Sequence, residues 1–261
     1  MPGESQKLLR KTVDEIATSY LTPRSRRKIL REPSTSVPCV REELTVDGDT
    51  IAVRSWGSGP SVLLVHGWSA NQSSMFNLVP PIIEHGFKAI AMDLPAHGES
   101  SGKIADLDDL AAGVERVYKH VGDLHAVVAH SVGAAVTTMA LSVLPSPRKL
   151  VLLAPPESYE RQARAFARIR GLDEIETEEM IRVLEERGTR IALLTSDYLR
   201  RLSVPTLIVH SRDDEMIPFS IAEHLAGVSP SGRLLEFSQL GHLSLLIDSS
   251  VIGAVLDFIC E

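Results

Sequence analysis

Five short apolar runs constrain this chain more than any other feature: "SVLLVHG" (Ser61–Gly67), "KAIAMDL" (Lys88–Leu94), "LHAVVA" (Leu124–Ala129), "KLVLLA" (Lys149–Ala154) and "TLIVHS" (Thr206–Ser211). Each has the length of a strand and too little polar alternation to face water on either side. Helical patterns separate them, as in "LDDLAAGVERVYKHV" (Leu107–Val121). Strands that alternate with helices predict an α/β fold with a parallel sheet covered on both faces. Composition agrees: 261 residues, 44% hydrophobic and 23% charged, suit one large domain or a core with a small appendage.

The other elements fit around this frame. Residues Glu4 to Tyr20 keep a helical rhythm through Leu8, Leu9, Val13, Ile16, Ala17 and Tyr20. The basic "TPRSRRKILRE" follows and is expected to be a solvated face or to pair with the acidic "DEIETEE" (Asp173–Glu179). "EELTVDGDTIAVRSWG" reads as a hairpin with Asp47-Gly48 in its turn. Pro80-Pro81 should break or restart a helix. Ser158 to Leu202 reads as helix only, with Phe166, Ile169, Leu172, Ile175, Ile181 and Leu184 as its apolar stripe. Such an insertion cannot sit inside the sheet, so a small helical cap is expected. "RLLEFSQ" should be the last strand and "LSLLIDSSVIGAVLDFI" the last helix. The expected organisation is therefore an N-terminal helical segment (1–41) packed on the core, a first core part (42–157), the cap (158–202) and a second core part (203–261).

Several function classes lose support. A net charge of -7 gives nucleic acid no general attraction. The first residues, "MPGESQKLLRKTVDEIA", are too charged for a secretory signal, and two cysteines make no disulfide framework, so a cytoplasmic protein is expected. Nine histidines include no H-E-x-x-H and no Cys-His cluster, so no metal is expected. Leu124 to Leu144 carries no charge and is long enough to span a membrane. Yet His130-Ser131 lies at its centre, and the β-branched Val127 and Val128 precede a helix-compatible "VGAAVTTMAL", so a strand turning into a helix is the better reading.

That turn carries the chemistry. A G-x-S-x-G pattern marks a serine at a strained strand-to-helix turn, where small neighbours let chains pass close. The literal match is "GESSG" (Gly98–Gly102), but it lies in a polar loop well after its strand. "AHSVG" (Ala129–Gly133) lacks the first glycine and has the right context, with a strand before, a helix after and small residues Gly133, Ala134 and Ala135. From about Glu42 onward the chain resembles the α/β-hydrolases. "VLLVHGW" is similar to their oxyanion strand and loop, "AMDLPAHGES" to the D-x-P-x-H-G-x-S segment and "AHSVG" to the nucleophile turn. "VHSRDDEMIP" is similar to the acid loop, with Ser211 where glycine is usual, and "LGHLSLL" to the histidine loop.

The resemblance implies an α/β-hydrolase fold, a mostly parallel sheet of about eight strands flanked by helices with a small helical cap. It also implies roles: Ser131 as nucleophile, His242 as base and Asp214 as acid, with Asp213 and Glu157 as rivals for the acid. The backbone N–H groups of Val132 and Trp68 are the expected oxyanion donors, and His97 and His130 are read as loop-shaping. A serine at this turn excludes the dehalogenase and epoxide-hydrolase chemistry that needs a carboxylate there. The expected activity is hydrolysis of a short- to medium-chain ester, thioester or lactone, with no cofactor and a small-molecule substrate as partner. A carbon–carbon bond hydrolase or cofactor-free peroxidase on the same residues is the alternative, followed by a non-catalytic binding protein. Oligomeric state, a homodimer included, is left open by the sequence.

Overall fold

The computed structural model describes residues 4–24, 32–46 and 48–261. Eight strands form one sheet: β1 (Val40–Val46), β2 (Asp49–Trp56), β3 (Ser61–Val65), β4 (Lys88–Met92), β5 (Leu124–His130), β6 (Lys149–Leu153), β7 (Thr206–Ser211) and β8 (Gly232–Phe237). Their order is β1-β2-β4-β3-β5-β6-β7-β8. The β1–β2 and β2–β4 pairs are antiparallel, and every other pair is parallel. In the hairpin Val46 faces Asp49, which leaves a two-residue turn. Gly48 takes a φ of 87° there, a region open to glycine and costly for most other residues. Asp47 and the basic residues 25–31, with their expected pairing to Asp173–Glu179, lie outside the described residues.

Nine helices are described: α1 (Glu4–Tyr20), α2 (Val79–Glu84), α3 (Leu107–Val121), α4 (Val132–Leu141), α5 (Tyr159–Ile169), α6 (Glu174–Glu186), α7 (Thr195–Leu199), α8 (Phe219–Val228) and α9 (Ser249–Cys260). The sheet separates two apolar layers, and the period of two along each strand feeds both. In β3, Leu63 and Val65 join one layer while Val62 and Leu64 join the other, all fully buried. Ile90 and Met92 of β4, and Val127 and Ala129 of β5, share the first layer with residues of α1, α3, α4 and α8. Ala89, Ala91, Ala126 and Val128 face the second layer, with residues of α2 and α9. Burying each such Val, Leu or Ile side chain contributes roughly 1.5–3 kcal/mol.

The uncharged run from Leu124 to Leu144 thus divides into β5 and α4, and every residue of α4 is buried in protein. Among the described residues no helix is long and apolar enough to cross a membrane. Pro80 and Pro81 sit in the first turn of α2, where the missing N–H groups have no helical acceptor to lose.

Two expectations are corrected. Ile169 and Ile175 do not belong to a buried stripe: they are 79% and 76% exposed, whereas Leu172, Ile181 and Leu184 are buried. Gly171 at φ 83° ends α5, and Asp173 caps a new helix, α6, so the helical phase restarts between the two isoleucines. The last helix begins at Ser249 rather than Leu243. Ser244–Leu246 is a separate 3-10 turn, and the Asp248 carboxylate accepts from the amides of Ser250 and Val251 to start α9. Helices α5 to α7 lie between β6 and β7 in the chain, outside the sheet. α1 packs mainly against α6 and also touches α5, burying Val13, Ala17 and Tyr20. Arg187 at the end of α6 reaches the Asp14 carboxylate at 3.0 Å and Thr18 Oγ1 at 2.9 Å.

Candidate active site

After β3 the chain runs to β4 on one side, and later to β5 on the other. Loops at the carboxyl ends of neighbouring strands diverge at such a point and leave a crevice, the usual ligand position in open α/β sheets. Ser131 stands there, between the last residue of β5 and the first of α4. Its φ of 54° and ψ of -128° are unfavourable for any residue with a Cβ. The fold over-determines this conformation. The Ser131 amide donates to Leu153 O at 2.9 Å, and its carbonyl accepts from the Ala134 amide at 2.8 Å. Gly133 is needed because a Cβ there would lie 2.3 Å from the carbonyl oxygen of His66. Ala129, where the serine pattern usually has glycine, is fully buried in β5 between Val65 and Leu152.

The histidine and acid loops converge on this serine. His242 Nδ1 lies 2.7 Å from Asp214 Oδ2, and His242 Nε2 lies 3.0 Å from Ser131 Oγ. An ionised carboxylate only accepts, so Nδ1 carries the proton and Nε2 is left to accept from the serine hydroxyl. All three residues are buried, each 8% exposed. Asp214 Oδ1 accepts from the amides of Met216 at 2.8 Å and Ile217 at 2.9 Å. Burial pushes the Asp214 carboxyl up, but hydrogen bonding from His210, His242 and the Ile217 amide outweighs it and holds the group well below the usual carboxylate range. His210 Nε2 donates to Ile217 O at 2.9 Å and stands 3.3 Å from Asp214 Oδ2.

The two rival acids point elsewhere. Asp213 Oδ2 accepts from the Gln239 amide. Glu157 accepts from the Ser196 hydroxyl at 2.6 Å and the Ser196 amide at 3.1 Å, at the start of α7. Ser100, in the literal "GESSG" match, is a staple: its hydroxyl donates to Asp93 O at 2.7 Å and accepts from the Ala52 amide at 3.0 Å.

Val132 is the first residue of α4, where an amide has no acceptor in its own helix. Trp68 lies in the loop after β3, and buried histidines hold that loop. His66 Nδ1 donates to Gly67 O at 2.7 Å and Nε2 accepts from the Leu94 amide at 3.0 Å. His97 Nδ1 donates to Pro95 O at 2.8 Å and Nε2 accepts from the Ser69 amide at 3.1 Å. Burial lowers His66 to about 4 and His97 to about 3, so both are neutral, as one-donor, one-acceptor bonding requires. The Trp68 ring packs edge-on against His97, centroids 5.0 Å apart. A narrow cleft adjoins Val132, lined by Leu107, Ala135, Met139, Tyr159, Leu193 and Tyr198.

Two supports of the site have no signal of their own in the sequence. His66 was legible only as part of "VLLVHGW". Ser211 read as a small replacement for glycine, yet its buried Oγ faces the Gly241 amide at 3.2 Å and the Leu240 amide at 3.4 Å. Among the described residues no three His, Cys, Asp or Glu side chains are grouped to hold a metal ion.

The chain resembles known proteins over most of its length. It is 25% identical over 241 residues to a pimeloyl-[acyl-carrier protein] methyl ester esterase from Nitrosomonas europaea, covering 76% of this chain and 94% of that protein. It is 24% identical over 265 residues to a non-heme haloperoxidase from Rhodococcus erythropolis, covering 82% and 97%. Among solved structures, an esterase from Exiguobacterium antarcticum superposes with a TM-score of 0.67 at 18% identity, covering 84% of this chain and 98% of that one. A bromoperoxidase from Bacillus anthracis gives 0.68 at 16% identity, covering 86% and 100%. Residues 62–251 match the Alpha/beta hydrolase family. With that match spanning most of the sheet and the loops that carry Ser131, Asp214 and His242, the chain belongs to the alpha/beta hydrolase family and is an enzyme of the hydrolase class.

Proposed function

We propose that the protein is a serine carboxylic-ester hydrolase for short- to medium-chain acyl groups, with Ser131 as nucleophile, His242 as base and Asp214 as acid. The observation that carries this reading is the continuous hydrogen-bond path from Asp214 Oδ2 through His242 to Ser131 Oγ, 2.7 Å and 3.0 Å long. A free serine hydroxyl is a weak nucleophile near neutral pH and needs such a base. His242 Nε2 takes the hydroxyl proton as Oγ attacks the ester carbonyl. The Val132 and Trp68 amides stabilise the negative oxygen that forms. His242 then returns the proton to the departing alcohol, leaving an acyl-Ser131 ester. Water attacks that ester with the same base, releasing the acid and restoring the hydroxyl. Asp214, held ionised, keeps the proton on His242 Nδ1 and stabilises the imidazolium.

A second reading uses the same acyl-enzyme. If hydrogen peroxide replaces water in the last step, the product is a peracid. The likeness to a non-heme haloperoxidase favours keeping this in view. A fluorophosphonate probe tests the shared first step: it should label the wild-type enzyme at Ser131 and leave Ser131→Ala unlabelled. A panel of p-nitrophenyl esters, run with and without peroxide, separates the two readings through the acid-to-peracid ratio. No labelling and no ester turnover would reject both.

A further inference from the structure

Three side chains outside the proposed catalytic set converge on the backbone of one short loop. Residues Gln239 to His242 form the connection that brings His242 to Ser131. Asp213 Oδ2 accepts from the Gln239 amide, Ser211 Oγ faces the Leu240 and Gly241 amides at 3.4 and 3.2 Å, and His130 Nε2 meets the His242 carbonyl at 3.1 Å. Four consecutive residues are thus held by side chains from the ends of β5 and β7, not by ladder bonds of the sheet. The loop needs holding. Gln239 and Gly241 take positive φ values of 65° and 63°, and for Gln239 that is an unfavourable region. The Ser211 side chain is fully buried, so its hydroxyl has no water to exchange these bonds for.

We propose that Ser211 and Asp213 are positioning residues: they clamp the Gln239–Gly241 backbone so that His242 Nε2 stays within bonding distance of Ser131 Oγ. The inference rests on the Ser–His–Asp reading above. Base and nucleophile act efficiently only in a narrow range of geometry, and a misplacement of about 1 Å can cost on the order of a hundredfold in rate. The clamp acts on the base, not on the substrate cleft. Losing it should therefore lower kcat and leave KM in place.

The test uses the full chain and four substitutions. Ser211→Ala and Asp213→Ala remove the acceptors. Asp213→Asn keeps a side-chain oxygen for the Gln239 amide and removes the charge. Ser131→Ala is the control for the parent reading. The readouts are the rate constant for fluorophosphonate labelling, kcat and KM on a p-nitrophenyl ester, and the low-field proton resonance expected for His242 Nδ1–H. Both alanine variants should label about ten- to hundredfold more slowly, with KM within about twofold and the low-field resonance broadened or lost. Asp213→Asn should recover most of the rate. Should Ser211→Ala unfold, Asp213→Ala and Asp213→Asn, at an exposed position, still decide the matter. Alanine variants with wild-type labelling rates and an unchanged resonance would overturn the clamp, as would an Asp213→Asn as slow as Asp213→Ala. Labelling that persists in Ser131→Ala would instead overturn the parent reading, so the two failures are distinguishable.

Discussion

The His130 side chain donates its Nε2–H to the carbonyl oxygen of His242 at 3.1 Å, and the two rings stand 4.8 Å apart. The residue beside the serine therefore also fixes the loop that carries the histidine, across 112 positions of chain. Burial lowers His130 to about 3, so this donor is neutral across the working range of pH.

His66, His97 and His130 together predict acid lability. In the folded protein burial holds them at about 4, about 3 and about 3, against an ordinary value of 6.5. Below 6.5 the unfolded chain takes up protons that the folded chain refuses. Stability is therefore full above that pH and falls as pH drops, by about 1.4 kcal/mol per pH unit for each histidine. Asp93, whose carboxyl is raised by burial, works the other way. Thermal melting from pH 8 to 4 should be flat at first and decline below about pH 6. A melting temperature constant down to pH 4 would contradict neutral, buried histidines.

Ser131→Ala and Ser100→Ala should have opposite signatures. The first removes the proposed attacking oxygen and leaves the amides in place, so esterase activity should fall roughly 10⁴- to 10⁶-fold with little change in stability. The second orphans the buried Asp93 carbonyl and Ala52 amide, costing roughly 1–3 kcal/mol of stability while most activity survives. Ester kinetics and chemical denaturation of both variants check the contrast. An inactive Ser100→Ala beside an active Ser131→Ala would exchange the two assignments.

For the proposed acid, Asp214→Asn should lose roughly 10³- to 10⁴-fold in kcat, because an amide no longer holds the His242 tautomer. Glu157→Gln should stay within about tenfold of wild type, since Glu157 bonds Ser196 and not His242. Steady-state kinetics of both variants on a p-nitrophenyl ester check the contrast, and a Glu157→Gln as slow as Asp214→Asn would reject Asp214 as the acid.

The narrow cleft between α4 and the helices that follow β6 predicts a preference for acyl chains of about C2 to C8. Turnover of p-nitrophenyl esters of increasing length should peak in that range. An optimum near C16 would require the helices to open and would favour a lipase.

The order of strands and helices, the hairpin and the turn at Ser131 were legible in the residues alone. Those features live in local periods and in single residues: Val62 to Val65 buried on both faces, Gly48 at positive φ, Gly133 where a Cβ would meet the His66 carbonyl. Packing of distant segments set what short-range pattern cannot carry. Asp213 and Asp214 are neighbours in the chain with the same chemistry, and only the course of the loop after β7 directs one to Gln239 and the other to His242. The apolar residues after β6 shared a helical rhythm, but the turn at Gly171 restarted the phase and left Ile169 and Ile175 in solvent. Ser131 and His242 are 111 positions apart, and Ser211 reaches amides 29 and 30 positions away. Such contacts depend on how packed strands set their loops, which no local period of residues encodes.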